Sequence, residues 1–214
     1  MNLSQDIIEV ENCRLRFMGL QAYEKIWQKM LDFTVNRTSS SMDEIWVLQH
    51  EPVFTLGQAG KEKHILNASN IPIVRTDRGG QVTYHGPGQL VIYLLIDVRR
   101  SKLGIRNLVD LIESSIISVL ASFGIKGATL ARAPGVYVGD KKIAALGLRI
   151  KKGCSYHGLS FNIDMDLKPF SYINPCGYVG LETTQLIDLL NQPEDNLFQH
   201  TQDRLLKVLH TNLI

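Results

Sequence analysis

One cysteine of this chain lies where a nucleophile could be exposed. Cys176 sits in the segment Ile173-Asn-Pro-Cys-Gly-Tyr178, where the flanking proline and glycine fix the backbone and leave the thiol uncrowded. A short helix is expected to begin near 182–185, so Cys176 would lie in a loop just ahead of a helix. Such surroundings can depress the pKa of a thiol and make the thiolate a nucleophile. The alternative is a free cysteine in a turn, and the residues alone leave both open.

A lysine pair offers a base. Lys142 opens the apolar run Ile143-Ala-Ala-Leu-Gly-Leu-Arg-Ile150 and adjoins small residues, so in a pocket it could lose solvation and act as a base. Because strand side chains alternate, Lys141 should point to the opposite face. The alternative is that both are solvated lysines of a hairpin.

Two histidines add a further possibility. His85 and His157 are each followed by glycine, and either could donate to a substrate carbonyl or simply satisfy the backbone. A catalytic Cys–His pair therefore also stays open.

A glycine-rich stretch supplies a candidate pocket wall. The segment Arg78-Gly-Gly-Gln-Val-Thr-Tyr-His-Gly-Pro-Gly-Gln-Leu90 combines residues that permit positive φ with side chains that hydrogen-bond, and an apolar run follows it. A polar loop anchored to a buried strand is typical of a binding site. The alternative is two tight turns flanking a hairpin.

The composition limits the function classes. The chain has 214 residues, 44% hydrophobic, with a net charge of +2, which does not favour nucleic acid as a partner. No apolar run approaches the ~20 residues of a membrane helix, and the acidic N-terminus does not resemble a signal peptide, so we expect a cytoplasmic protein with no membrane partner. Three cysteines give neither a disulfide framework nor a CxxC metal pair, so no metal site is expected.

The hydrophobic pattern predicts a mixed fold. Helical spacing is seen over 20–37 and again after Asn107, which we expect to cap a helix ending before Gly124. Strands are predicted over 3–18 (one or two edge strands), 44–49, 71–75, 90–98, 134–138, 142–150 and 155–163. Pro52 should end the second of these, and 58–70 should be irregular. Tight turns at 139–140 and 151–153 indicate an α/β (α+β) fold, a mixed and largely antiparallel sheet with packed helices, in a single domain spanning 1–214.

Taken together, four segments resemble the lipoyl(octanoyl) transferases that begin protein lipoylation in bacteria. They are the glycine-rich stretch 78–90, Gly139-Asp-Lys-Lys-Ile-Ala-Ala-Leu-Gly147, His157-Gly-Leu-Ser-Phe-Asn162 and Asn174-Pro-Cys-Gly177. The resemblance implies a fold related to the catalytic domains of biotin and lipoate ligases.

The resemblance also implies an activity, with no cofactor. Octanoyl held as a thioester on acyl carrier protein would pass to the thiol of Cys176 and then to a lysine ε-amine of a lipoyl domain, in 2-oxoacid dehydrogenase E2 subunits or in the glycine cleavage H protein. Lys142 matches the family lysine that lowers the thiol pKa and takes the proton of the attacking amine. The positions that match the acyl-binding wall are Arg78, Gly79, Gly80, Gln81, Val82, Thr83, Tyr84, His85, Ala145, Leu146, Gly147, Gly158, Leu159 and Ser160.

Two rival functions are considered beside this one. A ligase of the related superfamily would activate a free acid with ATP and would need no nucleophilic cysteine. A catalytically silent acyl-binding protein would keep the glycine-rich wall and tolerate loss of Cys176. A separate hypothesis gives the basic connector Arg99–Arg106 a role in docking acyl carrier protein, which is acidic as a class; the alternative is a solvated loop.

Overall fold

A computed structural model describes residues 6–10, 13–131 and 133–213. Within these residues the chain forms, in order, β1 (Asp6–Val10), β2 (Cys13–Gln21), α1 (Tyr23–Asn36), β3 (Asp43–His50), β4 (Val53–Leu56), β5 (Ile73–Arg75), β6 (Val82–His85), β7 (Gln89–Leu95), α2 (Ile105–Ser122), β8 (Ala128–Leu130), β9 (Ala133–Val138), β10 (Lys141–Lys151), β11 (Cys154–Asn162) and α3 (Leu197–Leu213). No helix in the part of the chain described is long and apolar enough to cross a bilayer.

The main sheet is mixed, as predicted, and mostly antiparallel. Its strand order is β1-β2-β3-β7-β11-β10-β9-β8, and β2–β3 is the one parallel pair in it among the described residues. Because β2 and β3 run in parallel, α1 connects them as a crossover. β10 and β11 pair along almost their whole lengths, from Ala144–Phe161 to Lys151–Cys154.

β7 is the centre of the core, and it is buried along its whole length. Side chains alternate along a strand, so Leu90, Ile92 and Leu94 face α2 and α3. Val91, Tyr93 and Leu95 face the opposite side, where they pack in one cluster with Ile26 and Met30 of α1. Helices cover both faces, which explains why the strand reads as a continuous apolar run.

A second, smaller sheet stands beside the main one. Its order is β5-β4-β6, with β4 and β5 parallel. Phe54, Tyr84 and Phe170 form its own apolar cluster, with Met165 and Ile173. β6 lies inside the glycine-rich stretch, and Gly80 (φ +87°) and Gly88 (φ +84°) flank it with the positive φ expected there.

Most predicted elements are confirmed. The helix predicted over 20–37 is α1, and the predicted hairpin across 139–140 is β9 and β10. The edge strands predicted over 3–18 correspond to β1 and β2, although residues 3–5 and 11–12 of that range lie outside the described residues.

Two local predictions are wrong. Asn107 does not cap α2: the helix begins at Ile105 after Gly104, and no side chain caps it. The short helix expected to begin near 182–185 starts later and is a single 3-10 turn, Ile187–Leu189, because Thr183 and its neighbours pair with Lys142 of β10 instead. The sequence pattern does not predict β4, β6, β8 or α3.

Candidate active site

Cys176 lies in the middle of a single 3-10 turn, Pro175–Gly177. Its φ is +56° and its ψ 14°, a left-handed conformation that costs a non-glycine residue about 1–2 kcal/mol. The turn is held by the Gly177 N–H, which donates to the carbonyl of Asn174 at 2.9 Å. Asn174 in turn donates its N–H to the carbonyl of His64 at 2.8 Å. The backbone strain is thus maintained by surrounding contacts, a pattern that clusters at functional sites.

The sulfur of Cys176 contacts the ammonium of Lys142. Lys142 is only 4% exposed, and its Nζ donates to Sγ of Cys176 at 3.0 Å and to the carbonyl of Pro134 at 2.8 Å. The ammonium also lies 5.3 Å from the ring centroid of Tyr137, within cation–π range. A cation in contact with a cysteine sulfur stabilises negative charge on that sulfur.

The backbone of β10 positions this lysine. Lys142 pairs with Tyr137 and Ala144 with Val136, so Ile143 is a bulge in the β9–β10 ladder. Bulges re-aim side chains and are common beside active sites. On the side of Lys142 away from β9, its backbone N–H donates to the carbonyl of Glu182 at 2.9 Å, which fixes the first residues of β10.

The two lysines of the hairpin separate as strand alternation predicts. The side chain of Lys141 is 54% exposed and forms an ion pair with Glu182 at 2.7 Å. Lys142 points inward to Cys176. The alternative in which both are solvated lysines is therefore wrong for Lys142.

A cleft opens beside Cys176, between β6 and the face of the main sheet. Its empty space, open mouth included, is about 480 Å³. Twelve of the fourteen predicted wall residues line it: Arg78, Gly80, Gln81, Val82, Thr83, His85, Ala145, Leu146, Gly147, Gly158, Leu159 and Ser160. Tyr23, Val91, Tyr93 and His157 line it as well and were not on that list.

Two predicted wall residues lie outside the cleft lining. Tyr84 alternates with Thr83 and His85 along β6, so its ring turns to the other side and packs on Phe54 and Phe170. Gly79 joins the loop to β10, where its N–H donates to the carbonyl of Leu148 at 3.1 Å.

Arg78 holds the glycine-rich loop in place. It is buried, and its guanidinium donates to Oγ1 and to the carbonyl of Thr55 and to the carbonyls of Gly79 and Gln81, at 2.6–3.0 Å. Burial lowers the pKa of Arg78 from its usual value. Five hydrogen bonds to four acceptors, in β4 and in its own loop, make this side chain an internal brace that shapes the wall.

Tyr23, His85 and Tyr93 line the cleft, and the buried His50 lies behind them. The rings of Tyr23 and His85 stack with centroids 5.8 Å apart, and Nε2 of His50 contacts the hydroxyl of Tyr93 at 2.7 Å. Burial lowers the pKa of His50 to about 4 and that of His85 well below its usual value. At neutral pH both imidazoles are uncharged, so the two histidines add no positive charge beside Arg78.

His157 belongs to a separate hydrogen-bonded group. Its Nε2 lies 3.0 Å from Oδ1 of Asp77, while Tyr156 donates to the other carboxylate oxygen. Burial acts to raise the pKa of Asp77, but the hydrogen bonds from His157 and Tyr156 prevail and lower it. His85 is likewise engaged, with Oε1 of Gln89 at 2.7 Å. The hydrogen-bond partner of Sγ of Cys176 is Lys142. His85 and His157 are bonded to other groups, so neither forms a Cys–His pair with Cys176.

The basic connector lies at the far end of the sheet. Asp97, just before it, bridges to Cys154, six residues along β11 from Ser160 in the cleft. At roughly 3.3 Å per residue, Cys154 and Ser160 are about 20 Å apart along the strand. Arg100 donates to the carbonyls of Ser39 and Ser41 and pairs with Asp43 at 2.8 Å. Arg100 therefore braces the loop after α1.

Comparison with known proteins places the chain in a family. The family model described as the lipoyl protein ligase A/B catalytic domain matches residues 25–209. The chain belongs to this family. It is 58% identical over 178 residues to an octanoyltransferase of Shewanella frigidimarina (strain NCIMB 400), a match that covers 83% of this chain and 82% of that protein.

Solved structures share the fold. A bipartite lipoate protein ligase from Thermoplasma acidophilum superposes with a TM-score of 0.68 at 14% identity, over 92% of this chain and 83% of the other. A biotin protein ligase from Aquifex aeolicus gives a TM-score of 0.54 at 12% identity, over 93% of this chain and 68% of the other. The predicted relation to the biotin and lipoate ligase catalytic domains is confirmed at the level of fold.

Proposed function

We propose that this chain is an acyltransferase that passes an octanoyl or lipoyl group from acyl carrier protein to a lysine of a lipoyl domain, the first step of protein lipoylation. The contact of 3.0 Å between Nζ of Lys142 and Sγ of Cys176, a residue that lines the cleft, carries the proposal. The 58% identity to an octanoyltransferase supports it.

In the first half-reaction Cys176 is the nucleophile. Its sulfur, paired as a thiolate with the Lys142 ammonium, attacks the carbonyl carbon of the octanoyl thioester while the cleft holds the alkyl chain. The new Sγ–C bond forms as the bond to the carrier sulfur breaks. The departing thiolate takes a proton from the ammonium, which leaves Lys142 neutral.

In the second half-reaction the neutral Lys142 is the base. The ε-amine of the acceptor lysine attacks the acyl-Cys176 carbonyl, and Lys142 takes the proton that this nitrogen loses. The amide forms, the C–Sγ bond breaks, and the thiolate and ammonium pair is restored. Exchange between thioesters is nearly isoenergetic and aminolysis runs downhill, so no nucleotide or other cofactor is required.

The acceptors we propose are the lipoyl domains of 2-oxoacid dehydrogenase E2 subunits and the glycine cleavage H protein. We propose that the chain acts as a single catalytic domain, with the wall residues of the cleft binding the acyl chain. A cytoplasmic location stays a prediction from the sequence.

Nucleotide dependence distinguishes this proposal from the ligase alternative. The purified protein is incubated with a lipoyl domain and with either octanoyl-acyl carrier protein or free octanoate, each with and without ATP and magnesium, and the acceptor is weighed by mass spectrometry. We expect octanoylation from the carrier protein at equal rates with and without ATP, and none from free octanoate. Modification that needs ATP and free octanoate would establish a ligase, and binding of the acyl chain without any transfer would establish a silent acyl-binding protein.

A further inference from the structure

Helix α2 buries one carboxylate on a face that is otherwise mostly aliphatic. Glu113 is 8% exposed, and Leu108, Ile112 and Ile116 accompany it on the buried side of the helix. Burial raises the pKa of Glu113 above its usual value, although a hydrogen bond from Gly135 opposes this. A polar group buried among apolar side chains costs free energy unless it is hydrogen-bonded, so the partner of this carboxylate matters.

The partner of Glu113 is one peptide group in β9. Oε1 of Glu113 accepts the N–H of Gly135 at 2.7 Å. The carbonyl of that same peptide group belongs to Pro134, and it accepts from Nζ of Lys142 at 2.8 Å. Nζ then donates to Sγ of Cys176 at 3.0 Å. A continuous chain of hydrogen bonds therefore runs from the carboxylate, through one peptide plane, to the ammonium and the sulfur.

The residue type at position 135 leaves this peptide free to turn. Gly135 has a φ of +135°, and a Cβ there would lie 2.4 Å from Cε of Lys142, so the site requires glycine. Glycine, however, permits many backbone conformations, including one with the peptide plane reversed. In the reversed plane the N–H would point at the ammonium of Lys142. The hydrogen bond to Glu113 holds the plane in the orientation that presents its carbonyl.

We infer that Glu113 is a positioning residue for Lys142. It orients the Pro134–Gly135 peptide, and its negative charge polarises that peptide so that the carbonyl accepts more strongly from the ammonium beside Cys176. Glu113 itself touches no reacting atom. The inference rests on the proposed roles of Lys142 and Cys176, and it adds α2 to the elements that support them.

Alkylation of the native protein by iodoacetamide tests the inference without any substrate. Cys13 and Cys154 are buried, and burial raises the pKa of both thiols, so the labelling rate at Cys176 can be followed by peptide mapping. Glu113→Met keeps the side-chain length and removes the acceptor. We expect it to slow labelling at least tenfold, equivalent to about 1.4 kcal/mol. Glu113→Gln keeps an acceptor oxygen and should stay within about threefold of wild type.

Controls separate positioning from general structure. Asp110 is exposed on the same helix, and Asp110→Asn should leave labelling unchanged. In a Lys142→Met background, Glu113→Met should slow labelling no further, because the coupling acts through Lys142. Near-ultraviolet circular dichroism checks the fold, and Glu113→Ala replaces the Met variant if that variant does not fold.

Two results would overturn the inference. One is wild-type labelling in folded Glu113→Met, and the other is an equal slowing in both backgrounds, which would mean a structural effect alone. The labelling rates of wild type and Lys142→Met test separately whether Lys142 activates Cys176. If that substitution leaves labelling unchanged, the proposed function is at fault rather than the role of Glu113.

Discussion

Replacing Lys142 by methionine removes the charge beside the sulfur while keeping most of the side-chain volume. Two unit charges 3.0 Å apart interact by about 5–6 kcal/mol at an effective dielectric constant of about 20, before the cost of desolvation. Desolvation offsets part of this, and a positioned acid–base group contributes ~10²- to 10⁴-fold. We expect Lys142→Met to lower kcat for octanoyl transfer by ~10²- to 10⁴-fold.

The neighbouring lysine provides the matched control. Lys141 is exposed and paired with Glu182 at the surface, where solvent screens the ion pair and leaves it little effect. Lys141→Met should change kcat by no more than about twofold. Steady-state transfer from octanoyl-acyl carrier protein to a lipoyl domain, followed by intact-mass spectrometry, measures both variants.

The same assay can refute the reasoning. Equal and small losses in the two variants would mean that the lysine in contact with Cys176 does not take part in the chemistry. A large rise in KM with kcat unchanged would give Lys142 a binding role in place of proton transfer.

Two further predictions concern His50, which lies behind the cleft, and Tyr23, which lines it. The pKa of His50 is about 4 in the folded protein and about 6.5 when unfolded, so the unfolded state binds the extra proton first as the pH falls. His50 should therefore contribute a fall in the free energy of unfolding of up to ~1.4 kcal/mol per pH unit between about pH 6.5 and 4. Urea melts measure the slope, and His50→Asn should reduce it by this contribution; an unchanged slope in this variant would contradict the assignment. The cleft crosses β10, β11 and β7, roughly 10 Å at about 4.8 Å per strand, and an extended eight-carbon chain with bonds of about 1.5 Å is roughly 9 Å long. Tyr23 lines this cleft with its ring stacked on His85, so Tyr23→Ala should enlarge the space for the acyl chain and raise the rate with dodecanoyl relative to octanoyl carrier protein. An unchanged ratio of the two rates would show that Tyr23 does not limit chain length.

Local patterns mark the two proposed reactive side chains as candidates, and the resemblance of 139–147 and 174–177 to the transferase family selects them. Proline and glycine around Cys176 indicate an uncrowded turn, and strand alternation separates Lys142 from Lys141. The left-handed conformation of Cys176 could not be predicted, since tertiary contacts from Asn174 and His64 maintain it.

The residues that the sequence hides are those whose local role is ordinary. Tyr23 falls in the apolar stripe of α1 and reads as core, yet it lines the cleft. Glu113 sits among aliphatic residues of α2, and only the fold brings it to Gly135. The sequence of β6 is typical of a loop, because flanking glycines dominate a strand of four residues.

The central claim is that the acyl group passes through the sulfur of Cys176. The direct measurement is mass spectrometry of the protein after incubation with octanoyl-acyl carrier protein alone, with the adduct mapped by digestion at mildly acidic pH. We predict one octanoyl group, on Cys176, that is lost when a lipoyl domain is added and is absent in folded Cys176→Ala. An adduct on Cys13 or Cys154, or transfer at the wild-type rate by Cys176→Ala, would contradict the account.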